Sequence, residues 1–260
     1  MNDFIKNRDK IVNKPAGLDY ELISGKIYDL LWDAWDGYTY LKENGNFNLP
    51  KKIYEIEGDT KFMDRVLAYY NSDTNNSNLG ILLSGTKGTG KTMLAKRIAI
   101  KSNLPVVVVD TSYPLKKISS FFKKINTSVC IIFDEIEKNE FNWPSTSLLE
   151  FLDGVQSTGK NIIIMTSNDT DKLNDNLFDR CSRIRYWRKY NATLNENLIK
   201  TLIEDKQIKE VDALLSTISK FKVQSFDNIN CFLDEYKSCL ELNKDTTTEE
   251  IINEMNITLK

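Results

Sequence analysis

The chain has no histidine among its 260 residues. General acid–base work near neutral pH therefore falls to a carboxylate, lysine, tyrosine or cysteine. Its four cysteines, Cys130, Cys181, Cys231 and Cys239, show no C-x-x-C spacing. With no histidine to complete a set, the usual zinc sites are excluded, and the cysteines read as free thiols of a reducing compartment. An excess of one charge is also missing. Lys and Arg number 35 against 37 Asp and Glu, a net charge of −2, so no global basic field draws the chain to nucleic acid. No apolar run approaches the length of a membrane span. The polar, mixed-charge start, Met1 to Lys14, is not a signal peptide. These absences predict a soluble, intracellular, cytoplasmic protein. The Asn-, Lys- and Ile-rich composition suits an AT-rich bacterial or phage genome.

Glycine recurs where it carries meaning. Gly85-Thr86-Lys87-Gly88-Thr89-Gly90-Lys91-Thr92 fits G-x-x-x-x-G-K-[ST]. Ahead of it lies the apolar strand candidate Leu79–Ser84. Behind it, Met93 to Ile100 has apolar residues at helical spacing. Strand, glycine loop and helix make the phosphate cradle of a nucleoside triphosphate. Backbone N–H groups turn inward, the helix N-terminus adds partial positive charge, and Lys91 adds a full one. Thr92 offers a hydroxyl to Mg²⁺. The candidate phosphate-binding set is Gly85, Thr86, Lys87, Gly88, Thr89, Gly90, Lys91, Thr92 and Met93.

The rest of the chain falls into three parts. Residues 1–50 carry many aromatic side chains, and Ile27, Leu30, Leu31, Ala34 and Trp35 share one face of a helix. The spacing predicts a helix there, either packing its rings onto the core or presenting an aromatic surface to a partner. Residues 51–190 alternate β-branched runs with helical patterns: Pro105–Val109, Val129–Phe133 and Asn161–Met165 read as buried strands, with Ile184–Tyr186 a further candidate. That alternation predicts a parallel, doubly wound sheet. Residues 191–260 contain neither glycine nor arginine and read as three or more amphipathic helices. The fold class expected is α/β, a P-loop NTPase parallel sheet sandwiched by helices and followed by a small α-helical lid.

Two strand ends carry further chemistry. The run before Asp134-Glu135 places both carboxylates at the edge where ligands bind in parallel sheets. Asp134 suits Mg²⁺, and Glu135 suits polarisation of an attacking water. Asn168, after the next strand, can donate to a phosphate and accept from that water; an Asx turn is the alternative.

At this point residues 51–190 resemble the AAA+ ATPases, and more narrowly the AAA clade. Walker A lies at 85–92, Walker B at Ile131–Glu135, and a sensor-1 asparagine at Asn168. Leu148–Thr158 with Met165–Asn168 looks most like the mitochondrial Rieske-protein translocase type. The resemblance implies ATP and Mg²⁺ held between core and lid, with Ile56 to Asp59 near the adenine. It also implies a homo-oligomeric ring, a hexamer by preference, each site completed by a neighbour's arginine. Asp179-Arg180-Cys181-Ser182-Arg183 matches the clade's R-x-x-R finger position, assigning Arg180 and Arg183, and also resembles the clamp-loader S-R-C motif. An ordinary basic surface of Arg180, Arg183, Arg185 and Arg188 is the alternative.

The chain departs from the pattern at the pore. Asp110 to Phe121 is short and lacks glycine, leaving Tyr113, Phe141 or Trp143 as pore aromatics. Thr86-Lys87 also stands where family members carry Pro-Pro. The expected function is a Mg²⁺-dependent ATP-hydrolysing motor acting on an unnamed protein client. A DNA-metabolism factor of clamp-loader or helicase-loader type is the alternative. A non-hydrolysing scaffold is disfavoured by the intact Asp134-Glu135.

Overall fold

A computed structural model describes residues 4–7, 10–13, 21–33, 38–73, 77–110, 115–123, 125, 127–138, 145–152, 160–173, 175–242 and 246–260. In chain order they form β1 (Phe4–Asn7), β2 (Lys10–Asn13), β3 (Ile27–Trp32), β4 (Thr39–Gly45), α1 (Asp59–Tyr70), β5 (Leu79–Gly85), α2 (Lys91–Lys101), β6 (Val106–Val109), α3 (Leu115–Phe122), β7 (Cys130–Phe133), α4 (Ser145–Leu152), β8 (Ile162–Ser167) and β9 (Tyr186–Tyr190). Helices α5 (Glu196–Asp205), α6 (Val211–Ser219), α7 (Phe226–Glu241) and α8 (Thr248–Glu254) follow.

The strands make one sheet in the order β1-β2-β4-β3-β6-β7-β8-β5-β9. Its centre is parallel: β3 with β6, β6 with β7, β7 with β8, and β8 with β5. Strands β7 and β8 are buried along their whole length, which is why β7 and the first four residues of β8 are apolar runs rather than alternating ones. On one face Leu82, Ile131, Phe133 and Met165 pack with α3 and α4 through Phe122, Phe151 and Leu152. The Phe151 ring meets Phe122 and Phe133 edge-on, at 5.7 and 5.8 Å between centroids. Burying each such side chain stabilises the fold by about 1.5–3 kcal/mol.

The helix expected over residues 27–35 is not formed. Ile27 to Trp32 is strand β3, parallel to β6 and antiparallel to β4; Ala34 and Trp35 lie outside the described residues. Over six residues a helical stripe and a strand face are hard to tell apart, and pairing on both sides of β3 decides the matter. Tyr28 is fully buried there, its hydroxyl accepting from the Ile23 N–H at 2.9 Å. The N-terminal residues thus extend the sheet beyond β6. The last strand, expected at Ile184–Tyr186, runs from Tyr186 to Tyr190.

Strand β5 lies beside the segment that enters β9, and the approach is close. A Cβ on Gly80 would stand 1.7 Å from the carbonyl oxygen of Arg183. Only glycine fits, and Gly80 O accepts from the Arg185 N–H at 3.0 Å.

By contacts the chain divides into two compact units: residues 1–51, 61–84 and 91–189, and residues 52–60, 85–90 and 190–260. The first contains nearly all of the sheet. The second packs α5–α8 around Leu202, Ile203, Ile218, Phe221, Phe232 and Leu233. It includes the glycine loop 85–90, whereas Lys91 and Thr92 fall in the first. Among the described residues no helix is long and apolar enough to cross a membrane.

Candidate active site

In the first unit, the strand ends assemble a polar cluster. Phe133 pairs with Met165 in register, so Asp134 emerges beside Thr166. Asp134 Oδ1 accepts from Thr166 Oγ1 at 2.6 Å and from Thr92 Oγ1, on the first turn of α2, at 3.0 Å. Thr166 Oγ1 also accepts the Glu135 N–H at 2.8 Å. Glu135 is left-handed, with φ 52°. A non-glycine residue held there costs about 1–3 kcal/mol, and such strain gathers at functional positions. Here the Thr166 bond holds the left-handed turn at Glu135.

The Glu135 carboxylate is held at both oxygens. Oε1 accepts from Asn168 Nδ2 at 2.8 Å, and Oε2 pairs closely with Lys138 Nζ. That bond raises the Lys138 pKa above the ordinary lysine value. Glu137 Oε1 accepts both the Asn168 N–H and its Nδ2, each at 2.9 Å. Lys91 is buried, with 6% exposure. Burial pulls its pKa below the lysine value, opposed by the charges of Glu137, Asp134 and Glu135. The carboxylates keep this desolvated ammonium charged, and a charge stripped of water interacts more strongly with a phosphate than a hydrated one does.

Thr92 and Asp134 supply two hard oxygens side by side, which fits Mg²⁺, an ion usually held by one or two protein oxygens with phosphates and water completing the shell. A cavity of about 360 Å³ opens onto them, lined also by Asp29, Asn44, Asn46 and Lys96. Asp29 accepts from Asn44 Nδ2 at 2.8 Å, and burial raises its pKa. Strands β3 and β4 therefore wall the Thr92 and Asp134 side of the cluster, a placement nothing in the sequence marked.

In the second unit, Gly88 adopts φ 75°, and a Cβ there would lie 2.7 Å from Asp227 Cβ. The Gly88 carbonyl accepts the Asp227 N–H at 3.1 Å, in the first turn of α7. Ser225 caps that helix by accepting from the Asn228 N–H at 3.3 Å. Thr89 is buried and donates to Thr86 O at 2.7 Å, closing the loop on itself. Lys87 is exposed. Asp59, at the end of the Ile56–Asp59 turn, is buried and accepts from the Tyr190 hydroxyl at 2.9 Å.

Of the sequence candidates, Lys91, Thr92, Asp134, Glu135 and Asn168 thus belong to one cluster. Arg180 is exposed, whereas Arg183 is 8% exposed and its Nη1 donates to Asn176 O at 2.8 Å. Tyr113, Phe141 and Trp143 lie outside the described residues. The sequence did not single out Thr166, Glu137 or Lys138. Thr166 was signalled only by sharing strand parity with Asn168, and the other two by following Asp134-Glu135 directly.

Residues 81–189 match the family described as "ATPase family associated with various cellular activities (AAA)". That stretch is an AAA ATPase domain, and its chemistry is ATP binding and hydrolysis. No curated protein matches the sequence. The fold is similar to that of one point mutant of RuvB from Thermotoga maritima, with a TM-score of 0.56 at 16% identity, covering 80% of this chain and 72% of that one. It is similar to a second point mutant of the same protein, with a TM-score of 0.54 at 17% identity, over 80% and 72% of the two chains. A structure of katanin, solved to explain its self-assembly, gives a TM-score of 0.53 at 18% identity, over 76% and 72%. At these identities the likeness establishes the P-loop fold.

Proposed function

We propose that this chain is a Mg²⁺-dependent ATP-hydrolysing motor that assembles into a homo-oligomeric ring, a hexamer by preference, and remodels a protein partner. The observation that carries the hydrolytic reading is the carboxylate of Glu135, held by Asn168 Nδ2 at the exit of a buried parallel strand. Gly85–Gly90 offer backbone N–H groups to phosphate oxygens, Lys91 offers charge, and Met93 continues the first turn of α2. Thr92 and Asp134 hold the Mg²⁺, which neutralises phosphate charge when bound. Glu135 takes a proton from water as the water oxygen bonds to the γ-phosphorus and the bond to the β-phosphate oxygen breaks. Asn168 orients that water. Arg180 of a neighbouring copy supplies charge to the transferring phosphoryl group, with Arg183 the second candidate.

Self-assembly of katanin, a fold relative, supports the ring reading. The finer resemblance to the Rieske-translocase type rests on Leu148–Thr158 and Met165–Asn168, and with it the choice of a protein client. The site is tested by Glu135→Gln, which retains ATP binding and loses turnover by about 10²–10⁴-fold. Wild-type hydrolysis in that variant would sink the assigned base.

One observation favours nucleic acid as the partner. Arg185 lies 3.7 Å over the Tyr69 ring, Arg65 5.5 Å from the Tyr186 ring, and Arg188 5.6 Å from the Phe62 ring. Guanidinium and aromatic planes interleaved in this way suit a single strand. Stimulation of hydrolysis by unfolded protein, set against stimulation by single-stranded DNA, separates the two readings.

A further inference from the structure

Glu137 belongs to none of the motifs, yet it binds Asn168 at two points. Its Oε1 accepts the Asn168 backbone N–H and side-chain Nδ2, each at 2.9 Å. The other Nδ2 proton goes to Glu135 Oε1 at 2.8 Å. Both amide protons of Asn168 are thus spent on carboxylates, one on each side, and Oδ1 is the remaining polar atom. Turning the amide over would set Oδ1 against two carboxylate oxygens and strand its protons, so the pair of glutamates fixes which way it faces.

Glu137 is a costly residue to place here for stability alone. Among the described residues its Oε2 is the one buried side-chain oxygen or nitrogen with no hydrogen-bond partner. A carboxylate oxygen buried without a partner, even in a half-buried side chain, destabilises the fold that holds it. Its charge also opposes the lowering of the Lys91 pKa ahead of those of Asp134 and Glu135.

We propose that Glu137 is the positioning residue of this site: it fixes the amide of Asn168, and through that amide the carboxylate of Glu135, in the orientation hydrolysis requires. The inference rests on Glu135 being the base. Glu137 acts only through Asn168 and forms no bond to the reacting atoms.

The test uses the full chain with two variants of like shape. Glu137→Met keeps the length of the side chain and removes the acceptor; Glu137→Gln keeps a carbonyl oxygen that can take the same two bonds. Turnover is measured beside the dissociation constant of a fluorescent ATP analogue. Glu137→Met lowers kcat about 10²-fold, the cost of a misplaced catalytic group, with the dissociation constant held within about twofold. Glu137→Gln recovers about tenfold or more of that loss. In the Asn168→Ala background Glu137→Met adds no further loss, because the group it positions is already gone. Equal turnover in the Met and Gln variants overturns the inference, as does an additive loss in the double variant. If Glu135→Gln is inert while Glu137→Met turns over normally, only the role of Glu137 falls. If Glu135→Gln hydrolyses ATP like the wild type, the base assignment falls first.

Discussion

Thr92 Oγ1 donates to Asp134 Oδ1 across 3.0 Å, tying the first turn of α2 to the end of β7. Walker A and Walker B are usually read as separate motifs, and here one hydrogen bond joins the oxygens proposed to face the metal. If the pair holds Mg²⁺ as proposed, the bond would pre-position its two protein oxygens. Thr92→Val removes the hydroxyl at nearly constant volume, and Thr92→Ser keeps it. Thr92→Val should raise the Mg²⁺ concentration for half-maximal hydrolysis about 10–100-fold, with Thr92→Ser close to wild type. A Mg²⁺ titration of hydrolysis reads this, and an unchanged half-point in Thr92→Val would count against Thr92 as a ligand.

The two finger candidates differ in surroundings, and this separates their expected phenotypes. Arg180 is exposed, as a residue serving another copy must be, while Arg183 is buried with Nη1 on Asn176 O. Arg180→Ala should leave the thermal midpoint unchanged and lower turnover about 10³-fold or more. Mixing it with a Lys91→Ala chain should restore activity, because a mixed pair still contains one intact site. Arg183→Ala should instead destabilise the fold by about 1 kcal/mol, through the loss of its part-buried bond to Asn176 O. No restoration on mixing would remove Arg180 from the role.

The parallel centre of the sheet was legible because strands buried on both faces are apolar on both, as β7 and Ile162–Met165 of β8 are. Asp134, Glu135 and Asn168 were legible for the same reason, since they follow such runs directly. The N-terminal strand β3 was misread because Ile27, Leu30 and Leu31 satisfy a helical stripe as well as a strand, and only its neighbours β4 and β6 choose. Thr166 and Glu137 carried only a faint positional signal, and the Asp29 wall carried none. Each gains its role from a partner 30 or more residues away, or from a strand inserted beside another, and a single sequence carries no record of such pairings.

Asp205 offers a test by pH. In the helical unit its carboxylate pairs closely with Lys52, and these bonds, with one from Tyr54, hold its pKa below the ordinary aspartate value. The unfolded chain therefore binds a proton at higher pH than the folded one. The pairing stabilises fully above the unfolded pKa, about 3.9, and is lost as pH falls through the lower folded value. The thermal midpoint of Asp205→Asn should lie below wild type at neutral pH, and the two should converge as pH drops below about 4. A gap that stays constant from pH 7 to pH 3 would show that the ionised pair does not stabilise the unit.

Gly80 and Gly25 together separate crowding from backbone conformation. A Cβ on Gly80 would meet a main-chain oxygen, Arg183 O, at 1.7 Å, whereas one on Gly25 meets nothing within 4 Å but requires φ near 78°. Gly25→Ala should cost about 1 kcal/mol from its left-handed backbone alone. Gly80→Ala has no rotamer to adjust and must push β5 and the Arg183–Arg185 segment apart, breaking the Arg185 N–H bond to Gly80 O. Overpacking of this kind costs about 1–3 kcal/mol or more, on top of the lost ladder bond at about 1 kcal/mol. Because Arg180 lies a few residues before the displaced segment, Gly80→Ala should also lower turnover beyond what its loss of folded protein explains, and Gly25→Ala should not. Denaturant midpoints and turnover per folded chain measure both effects. Equal costs at the two glycines would show that β5 and the Arg183 segment do not approach each other this closely.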